Sequence, residues 1–148
     1  MKRIITGILA AMMLISCLTT PIFAEDTALN TYAVQPRLSN VYMYSTNFGI
    51  SDDGIAEMYF EYEGKPDTFA YVTIEIYLEK RTLGLFWSRV DNGLEDNKWR
   101  FVRSATHGYI IETFQLKSTG TYRATYDITF SGNGTADDVM QEVHTQTY

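Results

Sequence analysis

The sequence predicts an all-β domain, an antiparallel sandwich of two sheets with about seven or eight strands. Apolar residues recur at every second position along several runs, which is the period of a strand and not of a helix. Gly, Asp and Asn separate these runs at intervals of roughly 8 to 14 residues, and no run has a convincing helical period. Strands of this kind must bury their apolar faces against a second sheet, with a small closed barrel as the alternative.

The predicted strands follow from the runs and from the turn residues between them. They are residues 40–49, 55–63, 69–79, 85–91, 98–105, 109–116, 121–130 and 139–148. Turns or loops are expected at 51–54, 64–67, 82–84, 91–97, His107-Gly108 and 131–138, where Gly, Asn, Asp, Ser and Pro are concentrated.

The run at 69–79 shows the alternation most clearly. Its smaller apolar side chains (Ala70, Val72, Ile74, Ile76 and Leu78) share one face, and its Tyr, Thr and Glu side chains share the other. The same reasoning applied to the other strands predicts a shared core. That core comprises Val72, Ile74, Ile76, Met58, Phe60, Ala124, Tyr126 and Ile128.

The first 24 residues have the layout of a secretory signal peptide. Lys2 and Arg3 precede a mostly apolar stretch that ends in a short, less apolar segment, which predicts cleavage after Ala24. Residues 25–37 lack periodicity and are interpreted as a flexible leader, with the β-domain at 38–148. The predicted location is therefore extracellular. The alternative is a lipoprotein anchored through Cys17, because residues 14–17 resemble a lipobox.

The segment Ser118–Ala124 refines the fold prediction. It resembles the entry to the sixth strand of immunoglobulin-like domains, where a Tyr hydroxyl bonds back to the preceding backbone. Tyr122 matches that Tyr, whereas Ala124 stands where those domains carry a Cys. The resemblance implies an immunoglobulin-like or fibronectin-type sandwich without the disulfide.

The chain after the signal peptide also resembles small exported immunoglobulin-like proteins of Gram-positive bacteria that have no assigned function. Residues 74–80 followed by Trp87, the pair His107-Gly108 and the segment 120–122 carry this resemblance. They are structural motifs, so they imply a fold and an extracellular location and no catalytic residue.

The composition excludes several function classes. A formal charge of −6 disfavours nucleic-acid binding. No phosphate-binding Gly-rich loop is present, so no cofactor is expected. Beyond Cys17 the chain has no cysteine, and its two histidines, His107 and His144, are interpreted as surface residues too far apart for a zinc site. The protein is therefore predicted not to be an enzyme. Calcium binding by the oxygen-rich loop at 91–97 remains the alternative to a plain acidic loop.

Two groups of aromatic and apolar residues are candidates for binding. Tyr59, Tyr71 and Tyr77 fall on predicted outer faces, where they either stack on a ligand or pair across strands. Leu85, Phe86 and Trp87 follow Lys80-Arg81 at a hairpin tip, a position that is usually polar. These three residues are the predicted contact site, with Trp87 in the core as the alternative.

The sequence thus favours an exported, non-catalytic β-sandwich. Its predicted partner is an extracellular protein, a cell-wall glycan or a membrane surface. The alternative is a small secreted effector or toxin, resembling a bacteriocin, that acts through the apolar hairpin tip.

Overall fold

The computed structural model describes residues 38–148, which form eight strands and no helix. The strands are β1 (Val41–Ile50), β2 (Ile55–Gly64), β3 (Phe69–Thr82), β4 (Phe86–Arg89), β5 (Trp99–Arg103), β6 (His107–Gln115), β7 (Thr121–Gly132) and β8 (Asp138–Thr147). The predicted signal peptide at 1–24, the lipidation alternative at Cys17 and the leader at 25–37 lie outside the described residues.

The strands form two antiparallel sheets, which confirms the predicted sandwich. One sheet has the order β1-β2-β6, and the other has the order β4-β3-β7-β8, with β5 also paired to β3. β4 pairs with the end of β3 at Glu79–Thr82, and β5 pairs with its middle at Val72–Ile76. The chain therefore returns along β3 in two separate strands, β4 and β5, with the polar loop at 91–97 between them.

The core lies between the inner faces of the two sheets. All eight residues predicted to form it are at most 1% exposed. At one end of the core, Phe60, Tyr62, Phe69 and Phe130 form an aromatic cluster with ring centroids 5.6–6.5 Å apart. Aromatic rings bury large areas, so this cluster contributes strongly to the core.

The tyrosine motif has the predicted geometry. The Tyr122 hydroxyl donates a hydrogen bond of 2.6 Å to the Ser118 carbonyl oxygen, and the side chain is 2% exposed. Tyr122 is the second residue of β7, which pairs with β3 in the centre of the five-stranded sheet. The bond therefore ties the β6–β7 connection to the start of β7.

Two predictions are wrong: the side of β3 that Ala70 faces, and the break expected at His107-Gly108 before β6. A register shift between Phe69 and Tyr71 turns Phe69 into the core, and Ala70 is only half-buried. His107 and Gly108 are not a break but the first residues of β6, because they pair with Glu63 and Tyr62 of β2.

A buried polar residue ties the start of β1 to the far end of the chain. Asn40 is 0% exposed, and its side-chain amide donates to the carbonyl oxygens of Phe130 at 3.1 Å and Ala136 at 2.7 Å. Its backbone N–H donates to the Asp138 carboxylate at 2.7 Å. These bonds satisfy backbone groups where β7 turns into β8, a requirement that the alternation of apolar residues does not reveal.

Candidate functional site

The predicted tip residues lie at the end of the β3–β4 hairpin, and two of the three are exposed. Leu85 is 76% exposed and Phe86 is 64% exposed. Leu83 joins them at 86%, although it was not among the predicted site residues. We refer to Leu83, Leu85 and Phe86 as the apolar tip. Three large apolar side chains are thus exposed within four residues of chain, and soluble proteins avoid such clusters unless they use them.

The tip is exposed because β3 extends beyond the end of its pairing with β7. β3 runs to Thr82, three residues beyond its predicted end, whereas its pairing with β7 stops at Lys80 opposite Tyr122. The last residues of β3 pair only with β4. The hairpin end therefore has no further strand beside it to cover apolar side chains.

The turn at the tip places a leucine in a backbone conformation that leucine disfavours. Leu83 has φ of 52° and Gly84 has φ of 70°, and the Leu85 N–H donates to the Thr82 carbonyl oxygen at 3.2 Å. Turns with two positive φ values favour Asn or Gly, because the left-handed region brings Cβ close to the backbone. Glycine meets this need at position 84, and position 83 keeps an apolar side chain despite the cost.

Trp87 does not belong to the apolar tip, which corrects the predicted site. Neighbouring strand residues point to opposite faces, so Trp87 turns to the outer face of the five-stranded sheet and is half-buried. The Arg123 guanidinium lies 4.4 Å from its ring centroid, and Arg123 also donates to the Glu79 carboxylate at 2.7 Å. Trp87 is neither core nor tip but part of the sheet's outer packing.

The predicted tyrosine stripe is also divided by the fold. Tyr59 lies on the outer face of the three-stranded sheet, whereas Tyr71 and Tyr77 belong to the other sheet. The Tyr77 ring is covered by cations: the Arg89 guanidinium is 3.5 Å from its centroid and the Lys98 ammonium is 5.6 Å away. No single face presents the three rings together, so they do not form one stacking platform.

Ion pairs occupy the same outer face beside Tyr77. Arg100 donates to Glu75 at 2.7 Å, and it also pairs with Asp96, while Lys98 pairs with Glu75. The cations Lys98 and Arg100 lower the pKa of the Glu75 carboxyl, and Arg100 lowers the pKa of Asp96. These charges are satisfied locally and are structural.

His144 is not a surface residue, contrary to the prediction. It is half-buried on the inner side of β8, its Nε2 lies 2.7 Å from the Thr46 hydroxyl, and its ring meets Tyr126 edge-on at 5.8 Å. Beside it the Tyr44 hydroxyl donates to Glu142 at 2.8 Å, and burial together with this bond raises the pKa of Tyr44 to about 12. Both bonds join β1 to β8 and close one edge of the sandwich.

His107 is exposed at a groove on the outer face of the three-stranded sheet. The groove has a volume of about 380 Å³, and its lining residues include Tyr42, Glu61, Glu63 and Tyr109. The two histidines thus lie in separate environments. Within residues 38–148, no group of three or more His, Cys, Asp or Glu side chains is placed to hold a metal ion.

The oxygen-rich loop at 91–97 uses its side chains for its own turns. Asp91 accepts from the Gly93 N–H at 3.0 Å, Asn92 from the Leu94 N–H at 3.0 Å and Asn97 from the Asn92 N–H at 3.1 Å. Side chains bonded to nearby backbone in this way are typical of Asx turns. The geometry favours the acidic loop over the calcium alternative.

No helix among residues 38–148 has the length and apolar character needed to cross a bilayer. Comparison with protein-family models gave no match. The search of curated proteins likewise found none.

Proposed function

We propose that the chain is an exported, non-catalytic binding module that contacts an extracellular protein, a wall glycan or a membrane surface through its apolar tip. The observation that carries the proposal is the exposure of Leu83, Leu85 and Phe86, at 86%, 76% and 64%. Burying such side chains in an interface is the strongest non-directional driving force for association available to this chain.

The conformation of Leu83 adds independent support. A leucine at φ of 52° costs stability, and an exposed leucine costs solubility. Asn or Gly at this position would avoid both costs and still close the hairpin. A contact made by the side chain gives a reason for keeping leucine there.

The non-catalytic part of the proposal rests on what the titratable groups do. His144 and Glu142 bond to β1, and Glu75 and Glu79 bond to cations on the outer face. Each is engaged in holding strands together. The hydroxyl groups that His144 and Glu142 meet, those of Thr46 and Tyr44, lie on β1, so these two contacts also join strands.

Export is proposed from the layout of residues 1–24 and is tested by intact mass. Protein recovered from the medium of the producing cells should begin at Glu25. A mature form that begins at a lipidated Cys17 would replace a free secreted module with one anchored to the membrane.

The tip is tested by binding assays on three surfaces: extracellular proteins of the producing cell, purified wall glycan and lipid vesicles. Leu85→Ser and Phe86→Ser should each weaken the observed binding by about tenfold or more, with unchanged melting temperature. Val102→Ser is the matched control, since Val102 is 60% exposed on β5, away from the tip. Equal losses for Val102→Ser and the tip variants would refute the tip as the contact site.

The second candidate is a secreted effector, favoured by the position of the exposed Arg81 directly beside the tip. An effector of this kind acts on a target membrane and does not only bind it. Dye-loaded vesicles distinguish the two functions, because a binding module leaves them intact and a lytic effector empties them.

A further inference from the structure

A cleft of about 250 Å³ lies between the β3–β4 hairpin and the β6–β7 connection. Its lining residues include Lys80 and Lys117 together with the hydroxyl residues Thr82, Ser88 and Ser118. Asp91 is the one carboxylate that lines it, and Arg89, Tyr122 and the apolar residues Val90, Phe114 and Leu116 complete the lining. Ammonium and hydroxyl groups around one small cleft are the donors that bind a phosphate group.

Lys80 is held in this cleft by the surrounding fold. Its Nζ donates to the Ser118 hydroxyl at 2.6 Å and lies 5.4 Å from the centroid of the Tyr122 ring. Its side chain passes over Gly120, where φ is 147° and an added Cβ would approach Lys80 Cε to 2.7 Å. The ammonium group is therefore positioned before any ligand arrives.

The cations near the tip are not neutralised. Ion pairs within residues 38–148 engage Lys98, Arg100 and Arg123, all on the outer face of the five-stranded sheet. Lys80 and Lys117 have no ion pair in this part of the chain. The cleft thus presents positive charge that a bound anion can neutralise.

We infer that this cleft binds the phosphate headgroup of an anionic phospholipid while the apolar tip enters the bilayer. The inference rests on the proposed function, because it takes the tip as the contact site. Leu83 lies three positions after Lys80, a span of about 10 Å at roughly 3.4 Å per residue. Amphipathic elements at a membrane surface bury their apolar side roughly 5–10 Å deep. The ammonium would then lie at the level of the phosphates.

The distribution of charge favours a membrane over free phosphate. A soluble phosphate would need the cleft alone, whereas a lipid uses the cleft and the adjoining apolar tip together. The chain has a formal charge of −6, so an anionic bilayer repels it in most orientations. Glu57, Glu61 and Glu63 project from β2 on the outer face of the other sheet, so the hairpin end is the side that can approach.

The experiment measures sedimentation of the protein purified from its producing cells with two kinds of vesicle. One kind is phosphatidylcholine, and the other is phosphatidylcholine with phosphatidylglycerol in a three-to-one ratio. Binding should be about tenfold tighter to the anionic vesicles and should weaken with salt. Phe86→Ser should reduce binding to both kinds.

Two cleft variants separate the cleft from the tip. Lys80→Gln and Lys117→Gln should each remove severalfold of the phosphatidylglycerol-dependent gain and weaken binding to phosphatidylcholine less. Arg103→Gln is the matched control, because it removes one exposed positive charge at a distance from the cleft. Melting curves check each fold, and the exposed Lys117 keeps the test valid if Lys80→Gln unfolds the protein.

The outcomes distinguish this inference from the proposed function. Equal binding to both vesicles, or an anionic gain that survives the Lys80→Gln Lys117→Gln double variant, overturns the inference while the tip remains a contact site. Full vesicle binding by Phe86→Ser overturns the tip itself. Inorganic phosphate that shifts the backbone amide signals of Lys117 and Ser118, with no vesicle binding, assigns the cleft to soluble phosphate and overturns the lipid.

Discussion

The middle of β3 and the hairpin turn that follows β3 carry similar apolar side chains in opposite surroundings. Ile74 and Ile76 in the middle are 0% exposed, whereas Leu83 and Leu85 in the turn that follows β3 are 86% and 76% exposed. The middle is flanked by β5 and β7, and the end is flanked by β4 alone. An apolar residue is therefore buried according to which strands reach it, and not according to its own hydropathy.

The largest effect expected from this difference is at Ile74. Ile74→Ala should lower the free energy of unfolding by about 2–5 kcal/mol, because it opens a cavity that the two sheets cannot close. Leu85→Ala should change it by less than about 0.5 kcal/mol. Urea denaturation measures both, and similar losses at the two positions would show that the tip is packed.

The junction between the two regions depends on Tyr122. Tyr122→Phe should lower the free energy of unfolding by about 1 kcal/mol, because the Ser118 carbonyl oxygen loses its donor. Tyr109→Phe is the control, since Tyr109 is 69% exposed and its ring should tolerate the change. Thermal and urea unfolding would contradict the role of this bond if the two variants behaved alike.

At the tip, one substitution should stabilise the protein. Leu83→Asn should raise the free energy of unfolding by about 0.5 kcal/mol, because Asn tolerates the positive φ that Leu resists. Leu85→Asn, outside the two positive-φ positions, should leave it unchanged. Under the proposed function, Leu83→Asn should also weaken binding. If the Leu83→Asn variant were both more stable and better at binding, a contact by the Leu83 side chain would not explain why leucine is kept at this strained position.

The smallest effect concerns Glu112, which lies on the inner side of β6 opposite Met58 of β2. Burial raises the pKa of its carboxyl, so ionisation costs the folded state more than the unfolded state. The protonated Glu112 carboxyl therefore contributes to folding stability. This stability is fully present below the unfolded-state pKa of about 4.3 and is lost as the pH rises through the folded-state pKa.

Glu112→Gln should therefore stabilise the protein slightly at pH 7 relative to the native chain, and this advantage should disappear near pH 3. Urea unfolding at the two pH values measures the difference. Glu57→Gln on the exposed face of β2 is the control and should show no such dependence on pH. If Glu112→Gln changes the free energy of unfolding equally at the two pH values, the Glu112 carboxyl is as well hydrated as a carboxyl on the outer face.

The sequence by itself determined which side of each long strand faces the core. Alternation is a local property of the strand backbone, so the burial of Ile74, Ile128 and Met58 followed from spacing alone. The bond made by Tyr122 was expected from the resemblance of Ser118–Ala124 to immunoglobulin-like domains, and its donor and acceptor are only four residues apart. The fold class and the hairpin at the tip also needed no knowledge of distant contacts.

Only the tertiary structure decided where strands end and what covers them. β3 reaches Thr82 because β4 pairs with it there, and His107 begins a strand because Glu63 lies opposite. Trp87 packs on Arg123, and His144 bonds to Thr46, each across a long separation in sequence. Such partners are chosen by register and by the facing sheet, and neither is encoded in the period of one strand.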